Sequence, residues 1–319
     1  MKKLLKILGM LLGVVALAVI VLVIYISVRG TGSYTANVPA IPKVEITGAR
    51  VERGQKIASM LCRNCHYNKE TNKLTGSPME DVPQFGKIRP RNITHDDEIG
   101  IGGWSDAELI YFIRTGINPK TNLFVPPYMP KLLHLSDEDM RSVVAYLRSD
   151  SPEVQADKSE YPPSEPSFLT KFLSLVAFHP FKFPEKEIPG PDTTNQLEWG
   201  KYLTLAQLEC YTCHSKDFKT MDMEFPEKSE GFFGGGNEML NKEGMTITTL
   251  NITSDEETGI GKWTEEEFIR AIRSGIVPNG PALRYPMEPY SQLTDEEAKA
   301  IYAFLRTVPK LNHKVERRL

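Results

Sequence analysis

The four cysteines of this chain fall into two copies of one five-residue pattern, Cys62-Arg63-Asn64-Cys65-His66 and Cys210-Tyr211-Thr212-Cys213-His214. In each copy the two thiols are spaced to add to the two vinyl groups of a haem, and the adjacent histidine is placed to bind the iron from one side. A porphyrin held at each motif would form much of the core around it, so this feature constrains the fold before any periodicity is read. Paired cysteines of this spacing also occur in zinc sites and redox disulfides. A histidine directly after the second cysteine in both copies, with no cysteine left over, favours haem and leaves no thiol for a disulfide or for catalysis.

The N-terminus sets the compartment. Lys2, Lys3 and Lys6 precede an uncharged apolar run from Ile7 to Val28. At about 1.5 Å per residue the run covers the ~30 Å hydrocarbon core of a bilayer, and it exceeds the roughly 7 to 15 apolar residues of a signal peptide. Residues 1–30 are therefore expected to be an uncleaved transmembrane anchor. The other reading is a signal peptide cut near Ser33 or Ala36, where no clean small-x-small site stands out. The leading lysines predict a cytoplasmic N-terminus and export of the remainder. This gives one pass through the cytoplasmic (inner) membrane, with the following domains in the periplasm. Haem attachment at such motifs takes place outside the cytoplasmic membrane, in agreement with that topology. The formal charge is only -3, with no basic patch interleaved with aromatics and no Gly-rich phosphate loop, so no nucleic-acid partner is expected.

An internal repeat divides the exported part. The segment Asn92-Ile93-Thr94 through Gly100-Ile101-Gly102-Gly103-Trp104 recurs 159 residues later as Asn251-Ile252-Thr253 through Gly259-Ile260-Gly261-Lys262-Trp263. The segment starting at Leu135 recurs at Leu293, an offset of 158, and the cysteine motifs are 148 apart. Two homologous domains are expected, at 48–150 and 191–310, joined by a Pro-rich linker at 151–190. In each, a helix runs into the cysteine motif and two more follow after a long loop. Ser105 with Glu108, Thr264 with Glu267, Ser136 with Asp139 and Thr294 with Glu297 read as capping boxes at the starts of those helices. Gly116 and Gly275 read as C-caps. Gly54 and Gly200, just ahead of the motifs, would let the opening helix cross closely over the closing one.

Several features carry two readings. The apolar stretch Phe168 to Phe178 in the linker is too short to span a membrane; packing against a domain is the first expectation and membrane-surface contact the second. The longer loop of the second copy contains Gly234-Gly235-Gly236, read as flexible surface. The acidic runs Asp96 to Glu98 and Asp255 to Glu257 read as solvated turns or as a steering patch for a basic partner. The two Asn-Ile-Thr sequons are expected to be coincidental.

With these motifs in place, the chain resembles a membrane-anchored dihaem class I cytochrome c, an all-α fold of two tandem class I cytochrome c domains after an N-terminal transmembrane helix. The likeness covers residues 48–149 and 192–309. The Asn-Ile-Thr and Gly-Ile-Gly-x-Trp segments are similar to those of cytochrome c subunits of bacterial alcohol and aldehyde dehydrogenases, which usually carry three cysteine motifs where this chain has two. The resemblance implies two covalently bound haem c groups, on Cys62, Cys65 and His66 and on Cys210, Cys213 and His214. It also implies a methionine as second axial ligand, supplied by the loop before the last helix. Met129 and Met287 fit that role and keep the 158-residue offset of the helix starts behind them. Met79, Met140, Met239 and Met245 have no counterpart in the other copy, while His95 and His134 are rivals for the first iron without a histidine counterpart. Pro78 and Pro226, each twelve residues after a motif histidine, are the resemblance's candidates for accepting the histidine Nδ1 proton through their carbonyls.

Histidine and methionine on opposite faces would leave each iron six-coordinate, with no open position for a substrate. The resemblance thus implies an electron carrier rather than an enzyme. Electrons would pass at the outer membrane face from a quinol-oxidising complex or exported dehydrogenase to a terminal oxidase or soluble cytochrome, with the lipid bilayer holding the anchor. A dedicated cytochrome subunit of a membrane dehydrogenase is an alternative. A dihaem peroxidase or thiosulfate-oxidising cytochrome is another, and would need an open iron or a fifth cysteine.

Overall fold

The structure, a computed structural model, describes residues 1–241 and 243–316. Among these, one helix is long and apolar enough to cross a membrane, α1 (Lys2–Arg29), whose side chains are exposed apart from Ile26 and the half-buried Arg29. It suits a membrane anchor or a signal sequence. The stem behind it is tied to the rest of the chain, with Tyr34 N donating to Asn122 O and Phe124 N to Gly32 O.

Beyond the stem the structure is mostly helical and has two hydrophobic cores. The first forms where α2 (Gly48–Met60) crosses α5 (Asp137–Leu147), with α4 (Asp106–Thr115) beside α5. The second forms where α7 (Gln196–Tyr202) crosses α10 (Asp295–Leu305), with α9 (Glu265–Ser274) alongside. The crossings depend on glycine. A methyl group at Gly54 would lie 1.8 Å from Ser142 O, and one at Gly200 would lie 1.9 Å from Ala300 O. Two short antiparallel ribbons accompany the helices: β1 (Gly86–Lys87) with β2 (Glu165–Pro166), and β3 (Glu238–Leu240) with β4 (Thr246–Thr248).

The sequence repeat is a repeat of hydrogen bonds. Asn92 Oδ1 accepts from the amide and hydroxyl of Thr94, as Asn251 does from Thr253. Their amides donate to the carbonyls of Asp157 and Ser159 in one half and Leu311 in the other, and both asparagines are buried, which keeps the sequons from a glycan. Asp96 and Asp255 each accept from the amides two and three residues on, so these acids serve their own turns. Gly116 and Gly275 end α4 and α9 in the left-handed region, at φ 78° and 76°. Three of the four capping boxes close in both directions. At Ser136 only half the box forms. Its hydroxyl accepts from Asp139 N, but the Asp139 carboxylate faces Arg53 and Tyr202 instead of turning back.

The Pro-rich stretch is no free tether. Glu153 O accepts from Leu74 N, Val154 lies in the first core, Phe183 stacks on Tyr111 at 5.9 Å, and Asp137 N donates to Ile188 O. Carbonyls and aromatic rings give it contacts that the lack of hydrophobic periodicity does not advertise. Within it, α6 (Phe168–Val176) packs through Thr170 and Ser174 and leaves its phenylalanines exposed.

The halves meet along a polar seam with approximate two-fold correspondence. Lys56 on α2 and Tyr202 on α7 follow Gly54 and Gly200 by two residues, while Asp139 and Glu297 are the third residues of α5 and α10. Lys56 Nζ lies 2.5 Å from Glu297 Oε2, and Tyr202 OH donates to Asp139 Oδ2 at 2.6 Å. Arg53 bridges them, meeting Asp139 at 2.8 Å, Gln207 at 2.8 Å and Glu297 at 3.5 Å. Apolar groups cross as well: Met60 of α2 belongs to the second core and Tyr202 packs against the first.

Candidate haem sites

Each cysteine motif is a short helix, α3 (Arg63–His66) and α8 (Cys210–His214), reached from the crossing helix of its own half. In the first half α2 ends at Met60 and Cys62 caps the next turn. In the second, a π-helical turn over Leu203–Gln207 intervenes and Glu209 stands in the left-handed region at φ 47°. No disulfide joins the four cysteines. Burial pushes the Cys62 and Cys210 thiols up to about 12 and Cys65 to about 11, and raises Cys213 as well. They are kept as neutral thiols, apolar enough to pack against a porphyrin edge.

Both histidines are held in the same way. His66 Nδ1 lies 2.7 Å from Arg91 O and His214 Nδ1 lies 2.8 Å from Leu250 O. A carbonyl only accepts, so Nδ1 carries the proton and Nε2 keeps its lone pair. Among the described residues no hydrogen bond reaches either Nε2. Burial lowers the pKa of both rings, opposed by the carbonyl bond, and so favours the neutral form an iron ligand needs. The backbone closes each site alike: His66 O accepts from Gly76 N, and His214 O from Gly235 N. A methyl group at Gly76 would lie 2.0 Å from Pro90 O, and one at Gly235 would lie 2.4 Å from the Leu250 carbonyl carbon.

These contacts correct two expectations. The carbonyl acceptors are Arg91 and Leu250, not Pro78 and Pro226; Pro226 instead opens a 3-10 turn. Both true acceptors immediately precede an Asn-Ile-Thr segment, and their 159-residue spacing is the repeat offset, a signal present in the sequence. The Gly234–Gly236 segment is not loose surface: Gly234 and Gly235 are buried, and Gly235 faces the backbone before the second Asn-Ile-Thr.

Met129 and Met287 are half-buried in the turns that precede α5 and α10. Around them, Val125 N donates to Gly116 O and Leu132 N to Ile113 O, matched by Leu283 N to Gly275 O and Tyr290 N to Ile272 O. Each methionine therefore hangs between the end of one helix and the start of the next. The histidine rivals are otherwise engaged, His95 Nε2 with Leu147 O at 2.7 Å and His134 Nε2 with Met223 O at 2.8 Å. Between the two sites lie two buried groups that sequence reasoning passed over. Lys131 bonds to Met129 O, and Glu209, next to Cys210, has Oε1 without a hydrogen-bond partner. Burial lowers the pKa of the lysine and raises that of the glutamate, each opposed by the charge of the other.

The donor set fits haem c. Two half-buried thiols and a neutral imidazole with a free Nε2 make up each motif, and the residues that carry them sit on or beside a single short helix.

Residues 51–151 match the family model described as cytochrome c. The chain is 43% identical over 274 residues to the cytochrome c subunit of alcohol dehydrogenase (quinone) from Gluconacetobacter polyoxogenes, covering 82% of this chain and 56% of that one. It is 27% identical over 274 residues to a subunit of nicotinate dehydrogenase from Pseudomonas putida, covering 82% of this chain and 22% of that one. A diheme cytochrome c-type protein from Cereibacter sphaeroides is 27% identical over 263 residues, with 78% and 82% covered. The chain thus spans little more than half the length of the alcohol dehydrogenase relative and about a fifth of the nicotinate dehydrogenase one. Cysteine motif, histidine geometry and family match agree that residues 51–151 are a cytochrome c domain with an electron-transfer role.

Proposed function

We propose that the chain is a dihaem c-type cytochrome, with cytochrome c domains at 48–150 and 191–310, that relays single electrons at the outer face of the cytoplasmic membrane. Its donor would be a quinol-oxidising complex or an exported dehydrogenase, and its acceptor an oxidase or soluble carrier. Haem c, when bound, supplies one-electron exchange between ferric and ferrous iron. Cys62 and Cys65 would hold one group and Cys210 and Cys213 the other. His66 and His214 would bind iron through Nε2, with Met129 and Met287 as the opposite ligands.

The observation that carries this reading is the duplicated histidine geometry, Nδ1 on a backbone carbonyl and Nε2 free, beside a half-buried thiol pair in both halves. The seam supports passage between the sites. Glu209, next to Cys210, faces Lys131 behind Met129, and Tyr285, two residues before Met287, bonds to Asp81 near Cys65. Each methionine turn thus meets the neighbourhood of the other half's cysteine motif.

The mass of the mature chain is expected to exceed that of the polypeptide by two haem groups. Redox titration with ligand-sensitive spectroscopy is expected to show two low-spin haems. Met129→Ala or Met287→Ala should lower the potential of one haem and open its iron to carbon monoxide, with covalent attachment intact. Unchanged spectra in both variants would refute the axial assignment, and polypeptide mass alone would refute the whole reading. The names of the relatives favour a second form of the same role, a permanent cytochrome subunit of a membrane dehydrogenase, which co-purification from the native membrane would reveal.

A further inference from the structure

Helix α6 is amphipathic the wrong way round for a soluble protein. Thr170 and Ser174 are fully buried, while Phe168, Leu169, Phe172 and Val176 are 47, 46, 37 and 54% exposed. At 3.6 residues per turn these four fall within an arc of about 100°, and the two buried hydroxyls lie on the opposite side. The polar face is the attached one. Thr170 Oγ1 donates to Phe85 O at 2.8 Å, Ser167 Oγ to Gln84 O at 2.7 Å, and Ser174 Oγ satisfies its own helix at Thr170 O. Four large apolar side chains on one nine-residue helix are thus turned outward by contacts that fix the helix in place.

The neighbour of α6 says what covers that face. The helix packs against α1, and Arg29, the last residue of α1, donates from Nη1 to Ser174 O at 3.1 Å. In α1 the side chains of Ile24, Tyr25 and Val28 are 57, 52 and 82% exposed up to its final turn. Where α1 spans a bilayer, Arg29 marks its exit on the exported side, and α6 stands at that level. An apolar helix face held at the depth where a span leaves the hydrocarbon meets the boundary between headgroups and acyl chains.

We propose that α6 lies in the plane of the membrane, its Phe168, Leu169, Phe172 and Val176 face inserted into the exported leaflet beside α1, as a second contact that orients the first half. The occupant is lipid. The orientation extends to the methionine turn, because Phe85, which holds α6, is 6.2 Å from Tyr128 and 6.5 Å from Phe178, ring to ring. The anchor and α6 together therefore fix which edge of the first half faces the bilayer. The inference rests on α1 being retained as a span, and its test separates the two.

All four native cysteines belong to the haem motifs, so a cysteine introduced into the haem-loaded full chain takes a spin label alone. The variants are Phe172→Cys and Val176→Cys on α6, Val19→Cys in α1, and Glu256→Cys on an exposed turn. Each is reconstituted into vesicles of mixed phosphatidylethanolamine and phosphatidylglycerol, and the label's relaxation by oxygen and by a water-soluble nickel chelate is measured. At Phe172 and Val176 the nickel effect should be lost relative to Glu256 while the oxygen effect rises, the signature of lipid. Nickel access at Phe172 equal to that at Glu256 overturns the proposal. So does loss of access to both agents, which signals a covering protein or second copy. Val19 reads the anchor separately: nickel access there refutes the span on which the inference rests, whereas a lipid signature at Val19 with nickel access at Phe172 refutes α6 alone.

Discussion

At the scale of single residues, the strongest constraints are glycines and a buried acid rather than the cysteine motifs themselves. Gly54→Ala places a methyl group inside contact distance of Ser142 O, so α2 and α5 must separate. A loss of about 3 kcal/mol is expected in denaturant unfolding, with Gly200→Ala similar in the second half. Glu209 gives a pH-dependent prediction. Burial raises its pKa and lowers that of Lys131, so raising the pH removes a proton from each and makes the space between the sites more negative. Negative charge favours ferric iron. The potential of the haem on Cys210 should therefore fall as pH rises through the neutral range, and in Glu209→Gln the slope should flatten, as read by redox titration at several pH values. The pairing of two thiols with a histidine on or beside one short helix was legible in both motifs because spacing alone defines it. The carbonyl acceptors were not, since any residue can supply a carbonyl: Arg91 and Leu250 share a repeat offset but no side-chain chemistry.

At the scale of elements, Arg114 explains how the methionine turn keeps its shape. The side chain is fully buried on α4, its Nη1 donates to Leu132 O and Leu133 O at 2.8 and 3.0 Å, and its Nη2 reaches Leu135 O at 2.8 Å and Asp137 at 2.7 Å. One guanidinium thus pins the segment from Leu132 to the start of α5, directly behind the methionine turn. Arg114→Leu leaves three carbonyls without this donor and should cost on the order of 3 kcal/mol in thermal or denaturant unfolding. It should also raise the high-spin fraction of the first haem as the turn loosens. Among the described residues Arg273 repeats the ion pair alone, with Asp295, and its loss should matter less. The helices following the Trp segments were readable from caps and apolar spacing. α6 was ambiguous, because a short apolar run has the same composition whether it faces a core or a bilayer; its buried hydroxyls decide the direction only once the neighbouring strand and α1 are in place. The half-formed box at Ser136 has the same origin, since a carboxylate that could cap its own helix is drawn to Arg53 and to the hydroxyl of Tyr202 instead.

At the scale of the molecule, the seam was the least legible part, because Lys56, Arg53, Asp139 and Glu297 look in sequence like any solvated charges on helices. Glu297 is buried with side-chain exposure of only 4%, against the cations of α2. Removing both, in Arg53→Ala with Lys56→Ala, leaves that carboxylate buried without a cation, held among the described residues only by the amide of Thr294. The double variant is expected to uncouple the halves, splitting one calorimetric unfolding transition into two and slowing electron exchange between the haems. Asp139 and Glu297 occupy the same place in the two copies; Glu297 spends its charge on the cations of the opposite copy, while Asp139 pairs with Arg53 of its own copy and accepts from Tyr202 of the other. A fragment cut at the midpoint would expose Met60 and Tyr202 and strand an acid at the start of a helix. The two halves of the repeat therefore lean on each other, and expression of either alone should yield an insoluble product.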